Sequence, residues 1–317
     1  MKCIIFGTGS IGKRHIKNLI KILGGSIDII AYKTTKEDIE ILEELGVRPF
    51  YNIKDAFAEK PDFAIIANPT SMHVEYSMKA AEHGCNLFIE KPVSDSMKGI
   101  EKLRQVVKKK NLITFVPYVL RFSKPLMEIK KVIDSRRMGK VLSAEVHVGA
   151  NLAERHKDWD YRASYAANKS LGGGVSLDMS HEVDYARWLF GELEIEDAFV
   201  GKKSDLEMDA DDTCDIKAKT KDGAKINIHM DYIESPPRRY CRIECEKGPI
   251  IWDRDSSKVK AGKETIDVSE DYNEMFMREM EHFLECVKKR KETLIPLEEG
   301  IRTLQLVLKA REISGWK

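Results

Sequence analysis

The chain opens Cys3-Ile4-Ile5-Phe6-Gly7-Thr8-Gly9-Ser10-Ile11-Gly12, and how this stretch is read decides the fold. Residues 3–6 are apolar without alternation, as a short strand buried on both faces would be. Ile16, Leu19, Ile20 and Leu23 then recur at helical spacing. Between strand and helix lie Gly7, Gly9 and Gly12, a GxGxxG that is a weak signal alone and a strong one in this setting. Gly7 would permit a tight turn, Gly9 would let a pyrophosphate approach the backbone, and Gly12 would let helix and strand pack closely. The helix N-terminus, reached through Thr8, Ser10 and Ile11, would face the anion with its free amides. The competing reading is a glycine-rich turn that holds no ligand.

Beyond this stretch, strand and helix keep taking turns. Residues 27–32, 63–67, 86–89 and 113–116 read as strands, and 37–45, 72–83 and 97–109 as helices. Parallel neighbours need crossover connections, so about 115 residues of this alternation imply a parallel, doubly wound sheet of the Rossmann type. After Pro117 the pattern changes. A helix at 125–135 precedes a half-covered strand at 141–148, the segment 149–170 has no clear period, and glycines lead into a helix across 172–190. Strand-like pieces follow at 195–200, 213–218, 225–232, 240–246 and 250–252, divided by turn signals such as Asp222-Gly223. Helical patterns at 273–289 and 297–313 end the sequence. The expected fold class is α/β, with an N-terminal Rossmann domain over residues 1–120 and a C-terminal α+β domain over 121–317 built on a large, mostly antiparallel, open sheet.

At 317 residues the chain exceeds what one core usually organises. Lys and Arg number 53 against 52 Asp and Glu, a balance that gives no field for nucleic acid. The run Lys108-Lys109-Lys110 reads as a solvated helix end. No apolar stretch approaches the ~20 residues of a membrane helix, and no signal peptide precedes Cys3, so a cytoplasmic protein is expected. Six scattered cysteines read as structural thiols in a reducing compartment, and Cys241 and Cys245 lack the second pair that zinc would need.

The residues after the second strand bear on which dinucleotide is held. An NAD-binding turn usually offers an acid there to the ribose hydroxyls. This chain reads Tyr32-Lys33-Thr34-Thr35, with no carboxylate before Glu37. Lys33 and the threonine hydroxyls, Thr34 first, suit a ribose phosphate, so NADP is expected in preference to NAD. The plainer reading leaves Lys33 in water.

Further motifs follow in order: Asn68-Pro69-Thr70-Ser71-Met72-His73, Glu90-Lys91-Pro92, and Gly172-Gly173-Gly174 with Asp178, His181 and Asp184. With the N-terminal glycines, the chain resembles the glucose-fructose oxidoreductase, inositol dehydrogenase and MocA family, by motif over residues 1 to about 190. The resemblance implies an NAD(P)-dependent enzyme acting on sugars or polyols, with the second domain binding substrate and supporting a homodimer or homotetramer. Glu90-Lys91-Pro92 matches the family's EKP motif, in which Lys91 meets both cofactor and substrate hydroxyl, and a cis Lys91-Pro92 peptide is implied. His181 matches the general acid/base and Asp178 a substrate-touching acid. Asn68, Pro69, Thr70, His73 and Glu90 match the cofactor cleft, and Arg121, in an RF pair near the domain junction, is implied to contact the cofactor as well.

The chemistry supports these roles independently. Oxidising an alcohol needs a base within hydrogen-bond reach of the hydroxyl, and histidine titrates near neutrality. An ammonium such as Lys91 can stabilise alkoxide character. Asp178 and His181, three apart on an expected helix, would share a face. Asp178, His181 and Asp184 also admit a metal-site reading, set aside because no second ligand cluster accompanies them, and no metal is expected. Trp159, Arg162 and Tyr165, before the Gly172 turn, are expected to touch substrate by stacking and bidentate anion binding, or else Trp159 and Tyr165 anchor a long loop or an oligomer contact. Two other readings stay open: transient use of the nicotinamide in an epimerase or glycosidase cycle, and a non-catalytic dinucleotide sensor.

Overall fold

A computed structural model of the chain describes residues 1–35, 39–155 and 160–316. The chain divides into two compact units: Met1–Pro117 with Phe276–Ile301, and Tyr118–Met275 with Arg302–Lys317.

The first unit is built on strands β1 (Lys2–Phe6), β2 (Asp28–Tyr32), β3 (Arg48–Phe50), β4 (Phe63–Ile66), β5 (Asn86–Ile89) and β6 (Thr114–Phe115), with helices α1 (Ser10–Leu23), α2 (Ile39–Glu44), α3 (Ile53–Ala58), α4 (His73–Glu82) and α5 (Ile100–Lys110) between them. The sheet order is β3-β2-β1-β4-β5-β6 and every pair is parallel. β4 and β5 are buried at every position, as strands covered on both faces must be. Strand order reverses between β1 and β4, which opens a crevice at their carboxyl ends, the place where such sheets bind ligands.

The second unit comprises α6 (Lys124–Asp134), β7 (Val141–Gly149), α7 (Val175–Asp178), α8 (His181–Phe190), β8 (Leu193–Gly201), β9 (Thr213–Thr220), β10 (Lys225–Asp231), β11 (Arg238–Cys245), β12 (Gly248–Asp253), β13 (Lys258–Ala261) and β14 (Glu264–Asp267). Its eight-stranded sheet runs β14-β13-β12-β11-β7-β10-β9-β8 and is antiparallel throughout except for β7 against β10. α8 packs on β7 and β10. In β10 the apolar Ile226, Ile228 and Met230 are buried and alternate with Lys225, Asn227 and His229, so one face is core and the other polar.

Helix α9 (Glu274–Lys289) lies far along the chain, yet from Phe276 onward it belongs to the first unit. The cause is aromatic packing. Phe283 is wholly buried and sets its ring edge-on to Phe63 at 5.5 Å and Phe88 at 5.4 Å, with Phe115 at 6.1 Å. Burying such a side chain is worth about 1.5–3 kcal/mol, and edge-to-face pairing adds to it. The last helix, α10 (Leu297–Ile313), has Gly300 where an added Cβ would lie 2.7 Å from Val116 Cγ2. Among the described residues no helix is long and apolar enough to cross a membrane.

Candidate active site

At the end of β1 the chain turns at Gly7 with φ +95°, a conformation that favours glycine. A Cβ there would lie 2.3 Å from the Ala67 carbonyl oxygen, and one at Gly12 would lie 2.1 Å from the Gly7 oxygen. Both positions therefore require glycine for close backbone packing. Gly9 differs: an added Cβ meets nothing within 4 Å, and its φ of −67° is open to any residue. Gly9 is the N-cap of α1, makes no side-chain cap, and precedes a first turn without acid. Exposed Ser10, half-buried Ile11 and buried Thr8 complete the turn. Open space beside a glycine, against uncapped amides at the positive end of a helix, fits a pyrophosphate.

Lys33 leaves β2 half-buried, and its Nζ donates to Thr8 Oγ1 at 3.2 Å, which brings an ammonium to the glycine turn. Thr34 and Thr35 are exposed. Glu37 lies outside the described residues. Past β4, Thr70 is buried, Asn68 and Pro69 are half-buried, and Asn68 Oδ1 is buried with no hydrogen-bond partner among the described residues. His73 braces this loop: Nδ1 lies 2.8 Å from the Pro92 carbonyl oxygen and Nε2 2.8 Å from that of Asn68. Burial holds its pKa below the usual histidine range, against the pull of both carbonyls.

The loop after β5 carries Glu90, half-buried Lys91 and a cis Lys91-Pro92 peptide. Glu90 Oε1 lies 2.6 Å from Nε2 of the wholly buried His15, and Glu90 Oε2 accepts from the Lys91 backbone amide at 3.1 Å. Glu279, on α9, is wholly buried nearby, and neither carboxyl oxygen has a partner among the described residues. Burial, reinforced by the Glu90 charge, holds its pKa well above the carboxylate range. Neither His15 nor Glu279 was singled out from sequence. His15 follows Gly12 by three residues, but only the fold brings α1, β5 and α9 together.

In the second unit the helix expected over 172–190 is broken. α7 ends at Asp178 and α8 begins at His181, with Met179 at φ −95°, ψ 22° between them. The same-face argument from continuous helical spacing therefore does not apply to Asp178 and His181. Asp178 is buried, and its carboxylate accepts from Arg155 Nη1 at 2.9 Å, Tyr232 OH at 2.8 Å and the Tyr165 hydroxyl. Burial, then the Asp178 charge, pushes the Tyr232 pKa well up. Arg155 and Tyr232 were not anticipated, since the first lies in the unpatterned segment and the second ends a strand. His181 is half-buried with Tyr118 edge-on at 5.7 Å.

Arg121 is buried, and its Nε and Nη2 donate to Asp184 Oδ2 at 2.8 Å and Oδ1 at 2.7 Å. Thr303 also donates to Asp184 Oδ1, at 3.1 Å. Asp184 is thus held by three donors, two of them from one guanidinium. Arg162 is exposed and bound to Asp160 and Glu207, while Tyr165 is exposed except for its hydroxyl contact. Trp159 lies outside the described residues.

Comparison with known proteins bears on this geometry. Residues 1–118 match the family described as "Oxidoreductase family, NAD-binding Rossmann fold", and residues 126–251 match the "GFO/IDH/MocA C-terminal domain". The chain is 25% identical to scyllo-inositol 2-dehydrogenase (NAD(+)) of Bacillus subtilis (strain 168), over 93% of this chain and 88% of that protein. It is likewise 25% identical to myo-inositol 2-dehydrogenase of Thermotoga maritima, over 98% of this chain and 96% of the relative. Among solved structures, the WlbA dehydrogenase from Bordetella pertussis, in complex with NADH and UDP-GlcNAcA, superposes with a TM-score of 0.85. That match spans 99% of this chain and 95% of the other at 21% identity, a likeness of fold.

Proposed function

The chain belongs to the Gfo/Idh/MocA family of oxidoreductases, and on that premise we propose that it transfers a hydride between a nicotinamide dinucleotide and a secondary alcohol or ketone of a sugar, cyclic polyol or nucleotide-linked sugar. The observation that carries this reading is the glycine turn, tight at Gly7 and Gly12 and open at Gly9, against the uncapped start of α1. Gly7 to Gly12 would hold the pyrophosphate, Lys33 and Thr34 the ribose, and Asn68, Pro69, Thr70 and His73 the wall of the cleft. When bound, the dinucleotide supplies the two-electron acceptor or donor.

His181 takes the hydroxyl proton as the alcohol is oxidised and returns it in the reverse direction. The Lys91 ammonium stabilises negative charge on the same oxygen. Asp178, oriented by Arg155, Tyr165 and Tyr232, receives a substrate hydroxyl. Three fixed donors on one carboxylate support a positioning site, since the group cannot swing to solvent without breaking them.

NADP is preferred over NAD in this reading, because Lys33 stands beside Thr8 and the residues directly after β2, Lys33, Thr34 and Thr35, include no carboxylate. The Bacillus subtilis relative carries NAD(+) in its name, so the preference would belong to this chain. The polar face of the eight-stranded sheet supports assembly into a homodimer or homotetramer, and six buried free thiols support a reducing, cytoplasmic setting. A dehydrogenase screen of inositols, sugars and nucleotide-sugars with both cofactors tests the reading. Reduction of NADP by a member of these classes is expected, and binding of cofactor without turnover on any of them would count against it.

A further inference from the structure

The polar face of the second unit's sheet gathers ligand atoms that the oxidoreductase reading does not use. β7 and β10 pair in parallel with His147 opposite His229 and Gly149 opposite Asp231. The two imidazoles stack at 4.8 Å with 20° between planes, and His147 also stacks on Tyr240 at 4.6 Å. One ligand atom from each of His147, His229 and Asp231 lies within 4.8 Å of the others.

The surroundings hold these atoms in place. Asp231 Oδ1 accepts the amides of Ile233 at 2.6 Å and Glu234 at 2.7 Å, which leaves Oδ2 beside His229 Nε2 at 2.8 Å. The other ring nitrogen of His229, Nδ1, pairs with Asp215 Oδ1 at 2.5 Å, the carboxylate–imidazole arrangement that orients a metal-binding histidine. Glu234 Oε2 lies 2.7 Å from His147 Nε2 and offers a fourth donor. Gly149 makes room for both carboxylates, for a Cβ there would lie 2.2 Å from Glu234 Oε2 and 2.7 Å from Asp231 Oδ2.

We propose that His147, His229, Asp231 and Glu234 form a binding site for one divalent transition-metal ion of the zinc class. Two imidazoles and two carboxylates suit a borderline-soft ion better than calcium or magnesium, which take oxygen ligands. Tetrahedral bonds of about 2.0–2.1 Å separate ligand atoms by roughly 3.4 Å, so shifts of about 1–1.5 Å bring the ligand atoms of His147, His229 and Asp231 to that spacing. The ion would neutralise the two carboxylates and clamp the sheet's one parallel strand pair among the described residues. No metal was expected from sequence: His229 and Asp231 stand two apart on β10, but His147 meets them only through the pairing of β7 with β10, which local spacing does not show.

The full chain, dialysed against a chelator and then into chelator-free buffer, is titrated calorimetrically with zinc chloride. One equivalent should bind. Asp231→Asn and His147→Gln should each weaken uptake by 100-fold or more, and Asp215→Asn by about 10–100-fold through the orienting contact. X-ray absorption of the zinc-loaded wild type, which needs no variant to fold, should show a nitrogen and oxygen shell without sulfur. No uptake, uptake that survives Asp231→Asn and His147→Gln, or a sulfur shell lost in Cys286→Ser, whose thiol lies 3.6 Å from His282 Nε2, would each overturn the proposal.

Discussion

Replacing Gly9 with valine separates ligand binding from folding more cleanly than any other change at the glycine turn. The backbone at Gly9 has φ −67°, so a side chain brings no left-handed strain, and its Cβ would meet no protein atom within 4 Å. The cost to the fold is that of a poorer N-cap, about 1 kcal/mol. At Gly7 and Gly12, by contrast, the same change drives a Cβ to 2.3 Å and 2.1 Å from backbone oxygens, and the fold itself must give way. A side chain at position 9 fills the space in which a pyrophosphate would meet the first amides of α1. Losing one charge-assisted hydrogen bond there is worth about 1.5–3 kcal/mol, a roughly 10- to 150-fold loss of affinity. Calorimetric titration with NADP, alongside urea unfolding, measures both quantities on one preparation. Gly9→Val that binds NADP as tightly as wild type would refute the assignment of this turn to the cofactor.

Arg121→Ala should cost about 3–5 kcal/mol by leaving the Asp184 charge buried and unpaired, with little change in nucleotide affinity. Retained stability with weakened nucleotide binding would instead favour the cofactor contact expected from sequence. Lys33→Ala should lower the NADP-over-NAD preference by about 10- to 150-fold, the worth of one charge-assisted bond, in the ratio of dissociation constants; an unchanged ratio would remove Lys33 from phosphate recognition. His73 has a folded pKa below its unfolded value of about 6.5. Below that pH only the unfolded chain takes up the proton, so stability is full above it and falls as pH drops toward the folded pKa, by up to about 1.4 kcal/mol per unit. His73→Gln should flatten that part of the unfolding-versus-pH curve, and identical slopes in the two proteins would contradict the assignment.

The elements legible in the sequence were those whose period runs long enough to count. β1, β4 and β5 announce themselves as apolar runs, and α1 by Ile16 and Leu19. The strand β3 and the helix α3, of three and six residues, are too short for a period to emerge, as is the hairpin β13–β14. The return of α9 depends on Phe283 meeting Phe63 and Phe88, a long-range packing preference that no local pattern carries. Glycines and short motifs marked the candidate site, because they encode backbone geometry and chemistry at fixed offsets. What they could not convey was partnership. Whether Arg121 reaches a ligand or Asp184, and what holds Asp178, depends on residues far apart in the chain. The break between α7 and α8 escaped for a related reason, since Met179 and Ser180 are not helix breakers and the bend is imposed by tertiary structure.

The most direct test of the alcohol-oxidation claim is the absorbance of reduced nicotinamide when the protein meets NADP and a panel of inositols, sugars and nucleotide-sugars, run in parallel on wild type, Lys91→Met and His181→Ala. Growth of that band with wild type on at least one of them, and rates about 100-fold or more lower in each variant, is the predicted outcome. A band that never grows with any of these alcohols although NADP is bound, or that grows as fast without the ammonium and the imidazole, would contradict it.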